Sequence, residues 1–397
     1  MSRVVVTGMG MITAIGHSVA ENRQALVEGR TGIGYAKQFR SKYQSLLPFA
    51  EVSYTTQELF NALQVQKSGV TRTDLLALHA FNEAVADAGI TPEMLQSTDT
   101  ALIGASTVGG MCLTDEMYED ANRKEGNGSQ YLSAYSNSAC TLFLQSKYKV
   151  GGIINTFNTA CSSSANAIMY GARLIKNGLA KRVIAGGADS LAKFTVNGFN
   201  ALMILSNEPC RPFDANRKGL NLGEGAAFVV LEKEEDAVGK TMYAAVKGYG
   251  NSNDAYHPSS TSPEAEGPYL CMRNALEIAG LLPGDIDFIN AHGTATENND
   301  ETESLAMQKL FNHLPKFAST KSYTGHTLGA AGAIEAVYSI LSLQYQEIYP
   351  SLNFEEAIEA TKLVPVQQYD TQKLNYVMSN SFGFGGNCSS LIFAKNN

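Results

Sequence analysis

The 397-residue chain has no tryptophan, only 17% charged residues, and six cysteines that never fall into a Cys-x-x-Cys or other paired spacing. Each shortage excludes something. Cysteines at 112, 140, 161, 210, 271 and 388 offer neither a disulfide framework nor zinc-ligand spacing, so free thiols in a reducing cytosol are expected. Lysine and arginine number 30 against 38 aspartates and glutamates, a formal net charge of −8. That balance argues against a nucleic-acid partner and leaves room for a local basic patch facing an acidic protein. No apolar run approaches the length of a membrane span, so no membrane insertion is expected. The start, MSRVVVTGMGMITAIG, interleaves glycine and threonine and carries no small-residue cleavage site. It reads as a strand entering a turn rather than a signal peptide, and a cytoplasmic protein is expected.

What the chain does have is apolar residues, 44% of the total, over a length sufficient for a large buried core. It also echoes itself. RVVVTGMG (3–10) resembles YAAVKGYG (243–250), a β-branched strand ending in a Gly-x-Gly turn. TRTDLLALHAFNEAVADAGITPEML (71–95) resembles EGPYLCMRNALEIAGLLPGDI (266–286), an apolar-periodic helix with a glycine stop. Short strands follow at 100–107 and 287–294, then helices rich in small residues at 161–178 and 326–343, then apolar strands at 226–233 and 389–396. Duplication predicts two halves, 1–235 and 236–397, of α/β class with helices on a mostly parallel sheet. The small residues predict two central helices packed closely, their N-termini meeting and carrying Cys161 and His326.

A cysteine at a helix mouth is not by itself a nucleophile. Its ordinary pKa near 8.5 leaves little thiolate at neutral pH. The helix dipole contributes about 0.3–1 kcal/mol, less than the 1.36 kcal/mol of one pKa unit. A second group is needed, and histidine is the usual one. Of the six histidines, His79 lies inside an apolar-periodic helix, and His17 and His313 sit in loops without a supporting polar pattern. His257, in DAYHPSS, is ambiguous, with turn chemistry at Pro258 the plainer reading. His292, in INAHGTATENND, follows a strand beside a glycine and two threonines. His326, in STKSYTGHTLGAAG, opens a helix five residues after Lys321. The loop SNSFGFGGNCSS flanks Phe384 with Gly383, Gly385 and Gly386, leaving backbone N–H groups free to face a reacting carbonyl.

These motifs together resemble the β-ketoacyl-acyl-carrier-protein synthases of the elongating type I/II class, in the thiolase superfamily. The likeness runs along nearly the whole chain: VVVTGMGMITAIG, TACSSS, RPFDANRKGLNLGEGA, DAYHPSS, HGTATENND, KSYTGHTLGAAGAIE and NSFGFGG. It implies a thiolase fold, a five-layered αβαβα sandwich of duplicated halves, that forms a homodimer or pairs with a chain-length-factor-like homologue. It implies decarboxylative condensation of an acyl chain with malonyl-acyl-carrier protein. No cofactor is bound; the carrier protein delivers a phosphopantetheine arm. Cys161 then matches the acyl-carrying nucleophile, and His292 and His326 the donors to the thioester oxygen. Lys321 and Glu335 match a buried ion pair behind them. The amides of Cys161 and Phe384 match the oxyanion hole, with Phe384 also the gate. Thr294 and Thr296 match the phosphopantetheine contacts. Asn290, Glu335, Ser379 and Asn380 fall where some relatives hold a structural monovalent cation.

Two departures stand out. Many relatives have Thr-Asn after GFGG, where this chain has Asn387-Cys388. After HGTAT the sequence ENND looks more like ketosynthase subunits of type II polyene or polyketide clusters, including aryl-polyene pathways, than like fatty-acid elongation enzymes. A thiolase would place a second cysteine where Phe384 stands, a non-catalytic chain-length factor would lack Cys161, and a cysteine hydrolase would not need both histidines. Thr107–Met111, Tyr135 and Phe199 are expected to line the acyl tunnel, and Lys67 and Arg72 to face the carrier protein.

Overall fold

The computed structural model describes residues 3–66, 68–113 and 131–396. One sheet collects ten strands: β1 (Val4–Thr13), β2 (Thr100–Ala105), β3 (Ile154–Phe157), β4 (Arg182–Asp189), β5 (Gly225–Lys233), β6 (Ala244–Asn253), β7 (Phe288–Asn290), β8 (Lys316–Ala318), β9 (Tyr376–Phe382) and β10 (Asn387–Lys395). Their spatial order is β8-β7-β9-β10-β6-β1-β5-β4-β2-β3. Counted from its own first strand, each half runs third, second, fourth, fifth, first, so the duplication is visible in the topology. The two first strands meet in the middle, through only the Val5–Ala245 and Val6–Ala244 pairs.

The sheet is mixed rather than mostly parallel. β2 runs parallel to β3 and β4, and β7 to β8 and β9. The pairs β4–β5 and β9–β10, and every pairing of β1 and β6, are antiparallel. The connections decide this: β9 turns straight back into β10 through residues Gly383–Gly386, and a hairpin makes an antiparallel pair, whereas parallel neighbours need helical crossovers.

The helices that matter to the site are α1 (Arg72–Asp87), α2 (Ser163–Lys176), α3 (Lys193–Ala201), α4 (Glu266–Ala279), α5 (Glu297–Leu310) and α6 (Ala331–Tyr345). Strand side chains alternate faces. Along β5, Ala227, Val229 and Leu231 join a central core with Ile168 of α2 and Val337 of α6, while Ala226, Phe228 and Val230 join an outer core with Phe81 of α1. In the second half Leu391 and Phe393 of β10 enter the same central core, and Ile392 enters the outer core of α4 and α5 with Met272 and Met307. The layers are therefore helix, sheet, paired central helices, sheet, helix: the αβαβα sandwich. Each large apolar side chain buried this way stabilises the fold by roughly 1.5–3 kcal/mol.

The repeated Gly-x-Gly is not a turn. Gly8 and Gly10 lie inside β1, Gly248 and Gly250 inside β6. A Cβ on Gly10 would sit 2.2 Å from the Ala80 carbonyl oxygen of α1, and one on Gly250 would sit 2.0 Å from that of Cys271 in α4. The motif is a notch that lets an outer helix lie directly on the sheet, cut at equivalent places in both halves. The central helices use the same device, because a Cβ on Gly332 would stand 2.7 Å from the Ala165 amide nitrogen. This close approach brings the mouths of α2 and α6 to one place.

Candidate functional site

Cys161 stands at the mouth of α2, two residues before the first helical residue, and is 5% exposed. The preceding Ala160 has φ +52°, a left-handed conformation costly for a residue with a Cβ. Ser163 holds it there: its hydroxyl donates to the Ala160 carbonyl (2.5 Å) and accepts from the Thr159 amide (2.9 Å). His326 stands two residues before a 3-10 helix, Leu328–Ala330, that runs into α6 at Ala331, and it forms a β-bridge to Leu222 with its amide on the Asn221 carbonyl (2.7 Å). His292 follows β7, its amide and that of Gly293 donating to the Glu303 carboxylate of α5 at 2.9 and 2.8 Å.

These three residues converge. His326 Nε2 lies 2.9 Å from Cys161 Sγ, and the rings of His292 and His326 stand 5.5 Å apart at 86°. The protons can be placed from the partners. His326 Nδ1 accepts from the Leu328 amide (3.2 Å), so its proton is on Nε2. His292 Nδ1 lies 3.2 Å from Lys321 Nζ, which carries only donors, so the His292 proton is on Nε2 as well. Lys321 Nζ also donates to the His292 carbonyl (2.6 Å) and pairs with the Glu335 carboxylate. Lys321 and Glu335 are 2% and 3% exposed, so each charge depends on the other.

Burial first, then the Lys321 charge, holds both imidazoles well below the ordinary histidine pKa, so both are neutral at physiological pH. Burial pushes the Cys161 thiol up to about 11, opposed by Lys321 and by the backbone N–H groups of Phe384 and Cys161 itself. Glu335 rises to about 7 for the same reason of burial, offset by Lys321.

A sulfur and two imidazole nitrogens within 4.8 Å of one another could in principle grip a metal ion. The hydrogen bonds argue otherwise. Histidine ligands ordinarily donate their remaining N–H to an acceptor, whereas here both Nδ1 atoms face donors and both Nε2 atoms carry protons. The arrangement leaves two Nε2–H donors facing the cleft. Of the residues matched to a structural cation, Asn290 Oδ1 and Glu335 Oε2 are buried without a hydrogen-bond partner, which suits a monovalent cation. Asn380 does not share that feature: its Oδ1 accepts from Ser390 and its Nδ2 donates to Glu303. Ser379 is 2% exposed in β9.

A cleft of about 360 Å³ opens over Cys161, His292 and His326. Thr294 and Thr296 line it, their hydroxyls 2.9 Å apart, together with Phe199, Leu202 and Met203. Phe384 stacks on Phe199 with ring centroids 5.7 Å apart at 14°. Gly385 and Gly386 after it have φ +83° and +85°, conformations that glycine alone adopts freely, and the Gly385 amide hooks onto the Pro258 carbonyl at 2.8 Å.

Thr107–Met111 and Tyr135, expected along an acyl tunnel, are not among the residues that line this cleft. Thr107 binds Asp189 through both its amide and its hydroxyl, Met111 packs against the apolar cluster of Leu191, Val196 and Leu328, and Tyr135 is 51% exposed elsewhere. Arg72 does not present a free charge, since it grips the buried Glu224 carboxylate at 2.6 Å. Lys67 lies outside the described residues. Sequence reasoning missed Glu303, whose signal was an acid sharing the buried face of α5 with Asp300, Ala306 and Met307. It also left Asn387 unexplained.

Residues 1–237 match the family model described as the beta-ketoacyl synthase N-terminal domain, and residues 243–355 match the C-terminal domain. The 3-oxoacyl-[acyl-carrier-protein] synthase 2 of Coxiella burnetii is 35% identical over 99% of this chain and 98% of its own. The solved structure of the ishigamide ketosynthase/chain length factor has a TM-score of 0.93 at 30% identity, with all of both chains covered. A ketosynthase in complex with its chain length factor from Xenorhabdus doucetiae has a TM-score of 0.85 at 29% identity, covering 100% of this chain and 98% of that one.

Proposed function

The chain belongs to the β-ketoacyl synthase family, and from that premise we propose how its own residues run the condensation. Cys161 Sγ attacks the thioester carbonyl of an acyl group presented on the phosphopantetheine arm of acyl carrier protein. The acyl–Sγ bond forms, the donor carbon–sulfur bond breaks, and the arm leaves as a thiol with the cysteine proton. The amides of Cys161 and Phe384 receive the transient oxyanion. A malonyl thioester then loses carbon dioxide, and its enolate oxygen accepts from Nε2–H of His292 and of His326. The enolate carbon attacks the acyl carbonyl, Cys161 departs as thiolate and is reprotonated, and a β-ketoacyl thioester two carbons longer remains on the carrier.

The observation that carries this reading is the pair of neutral imidazoles whose Nδ1 atoms both accept, leaving two Nε2–H groups beside the sulfur. In mutagenesis of such sites, removing one donor to a developing oxyanion costs about 2.7–4 kcal/mol. Lys321 and Glu335 position His292, Thr294 and Thr296 hold the arm, Phe384 gates the two substrates, and Asn290 with Glu335 would hold a monovalent cation. The half 1–235 supplies the nucleophile, and 236–397 supplies the histidines and gate.

We place the reaction in a type II polyene or polyketide pathway, with a cysteine-lacking homologue as the partner subunit; the support is the likeness to chains solved as ketosynthase/chain length factor pairs. The test is to mix the purified protein, with and without co-expressed homologues, with acyl- and malonyl-carrier proteins and to identify products by mass. A two-carbon-longer β-ketoacyl carrier and released carbon dioxide are expected. A homodimer that alone elongates saturated chains assigns the enzyme to fatty-acid synthesis instead, and release of free acid without condensation overturns the reading.

A further inference from the structure

Asn387, the first residue of β10, has extensive contacts. Its Oδ1 accepts three hydrogen bonds: from Ser162 Oγ (2.8 Å), Asn166 Nδ2 (2.9 Å) and Asn251 Nδ2 (2.9 Å). Its backbone carbonyl accepts from the Gly383 amide (2.8 Å), closing the loop that carries Phe384. The partners are themselves tied together. Asn166 also donates to Thr159 Oγ1 (2.8 Å), and Ser389 donates to Asn166 Oδ1 (2.7 Å). One carboxamide oxygen therefore joins the mouth of α2, strand β6 and the first residue of β10.

Two details point this network at the chemistry. Ser162 occupies the N-cap position of α2 but does not cap it; its hydroxyl turns to Asn387 and to the Thr159 carbonyl. Gly383 approaches the same backbone so closely that a Cβ would lie 2.5 Å from the Thr159 carbonyl oxygen. The gate loop thus lies directly on the segment that carries Cys161, yet Gly385 and Gly386 give it little stiffness of its own. We infer that Asn387 is a positioning residue that fixes the Phe384 amide relative to Cys161, and so serves acyl transfer rather than decarboxylation. This rests on the condensation reading above.

The experiment separates the half-reactions. Acyl transfer to Cys161 is followed in single turnover, and malonyl decarboxylation is followed in a Cys161→Gln background that cannot accept an acyl group. Asn387→Leu removes the one acceptor that Ser162, Asn166 and Asn251 share, and so unties the gate loop from the mouth of α2. It is expected to slow acyl transfer at least tenfold, within the 10²–10³-fold that loss of a whole oxyanion donor costs, and to leave decarboxylation within threefold. Asn387→Asp keeps an oxygen at the same place and is expected to stay within threefold in both. Equal loss in both half-reactions, loss in neither, or equal loss for Asp and Leu overturns the inference. If Asn387→Leu does not fold, Ser162→Ala decides: a threefold or larger loss confined to acyl transfer supports it, and any other pattern overturns it. If the wild type forms no acyl-Cys161, the condensation reading fails separately. Amide hydrogen exchange across 383–386 then judges Asn387 alone, faster exchange in the Ser162→Ala protein supporting it and an unchanged rate overturning it.

Discussion

Replacing Lys321 with methionine should separate stability from catalysis. The Lys321 ammonium supplies three things: a donor to His292 Nδ1 (3.2 Å), a donor to the His292 carbonyl (2.6 Å) and the counter-charge to Glu335. Breaking a buried ion pair by removing one partner costs about 3–5 kcal/mol. The lower end applies here, because the Glu335 carboxyl, already raised to about 7, can take up a proton and stay buried neutral. The catalytic loss has another origin. Without a donor at Nδ1, His292 is free to move its proton there, which turns an acceptor toward the forming enolate. Losing one such donor lowers the rate by about 10²–10³-fold. The assay measures malonyl decarboxylation, acyl loading of Cys161 and thermal unfolding in parallel; decarboxylation should collapse while loading falls far less. A Lys321→Met/Glu335→Leu double variant should regain stability, since an apolar pair often replaces a buried ion pair without loss, but not activity. A double variant that condenses within threefold of wild type would refute the positioning role.

Further outcomes are expected from the same geometry. With its thiol raised to about 11, Cys161 should be alkylated by iodoacetamide about tenfold faster for each pH unit between 7 and 9; a plateau below pH 8 contradicts this. Burial raises Glu303 from 4.5 to about 7, so its stability contribution is full below pH 4.5 and is lost as pH rises through 7. Glu303→Gln should therefore flatten the melting profile between about pH 4.5 and 7, and an unchanged slope would count against it. His292 and His326, held below their ordinary value, work in the opposite sense, and their contribution is lost as pH falls below about 6.5. Gly250→Ala, whose Cβ would meet the Cys271 carbonyl at 2.0 Å, should lose at least the ~1–3 kcal/mol typical of overpacking, while Gly34→Ala, with nothing within 4 Å, should not; equal urea midpoints would remove the notch argument.

What the sequence made legible was local or carried by motif. The strand of each half's first element and the small-residue central helices follow from patterns within short windows, and the roles of Cys161, His292 and His326 from the resemblance of whole motifs. What it hid depends on distant partners. A Gly-x-Gly looks the same whether it makes a turn or a notch, and only the helix lying on β1 and β6 distinguishes them. Strand direction follows from where long connections return, which period-two alternation does not record. Asn387 acquires its meaning from Ser162, 225 positions away, and Asn251, 136 away. His326 does precede a helical segment, yet its backbone is held by Asn221 and Leu222 from another segment, which its own window does not record. Among the described residues no helix is long and apolar enough to cross a membrane, in agreement with the absence of long apolar runs.

Cys161 is expected to carry the growing chain. This is tested most directly by incubating the protein with acyl-acyl carrier protein, digesting at low pH and weighing the peptide that contains TACSSSANA. One acyl mass is expected on Cys161, absent from Cys161→Gln and discharged as a chain two carbons longer when malonyl-carrier protein is added. An acyl group on any of the other five cysteines, or condensation that persists in Cys161→Gln, would contradict it.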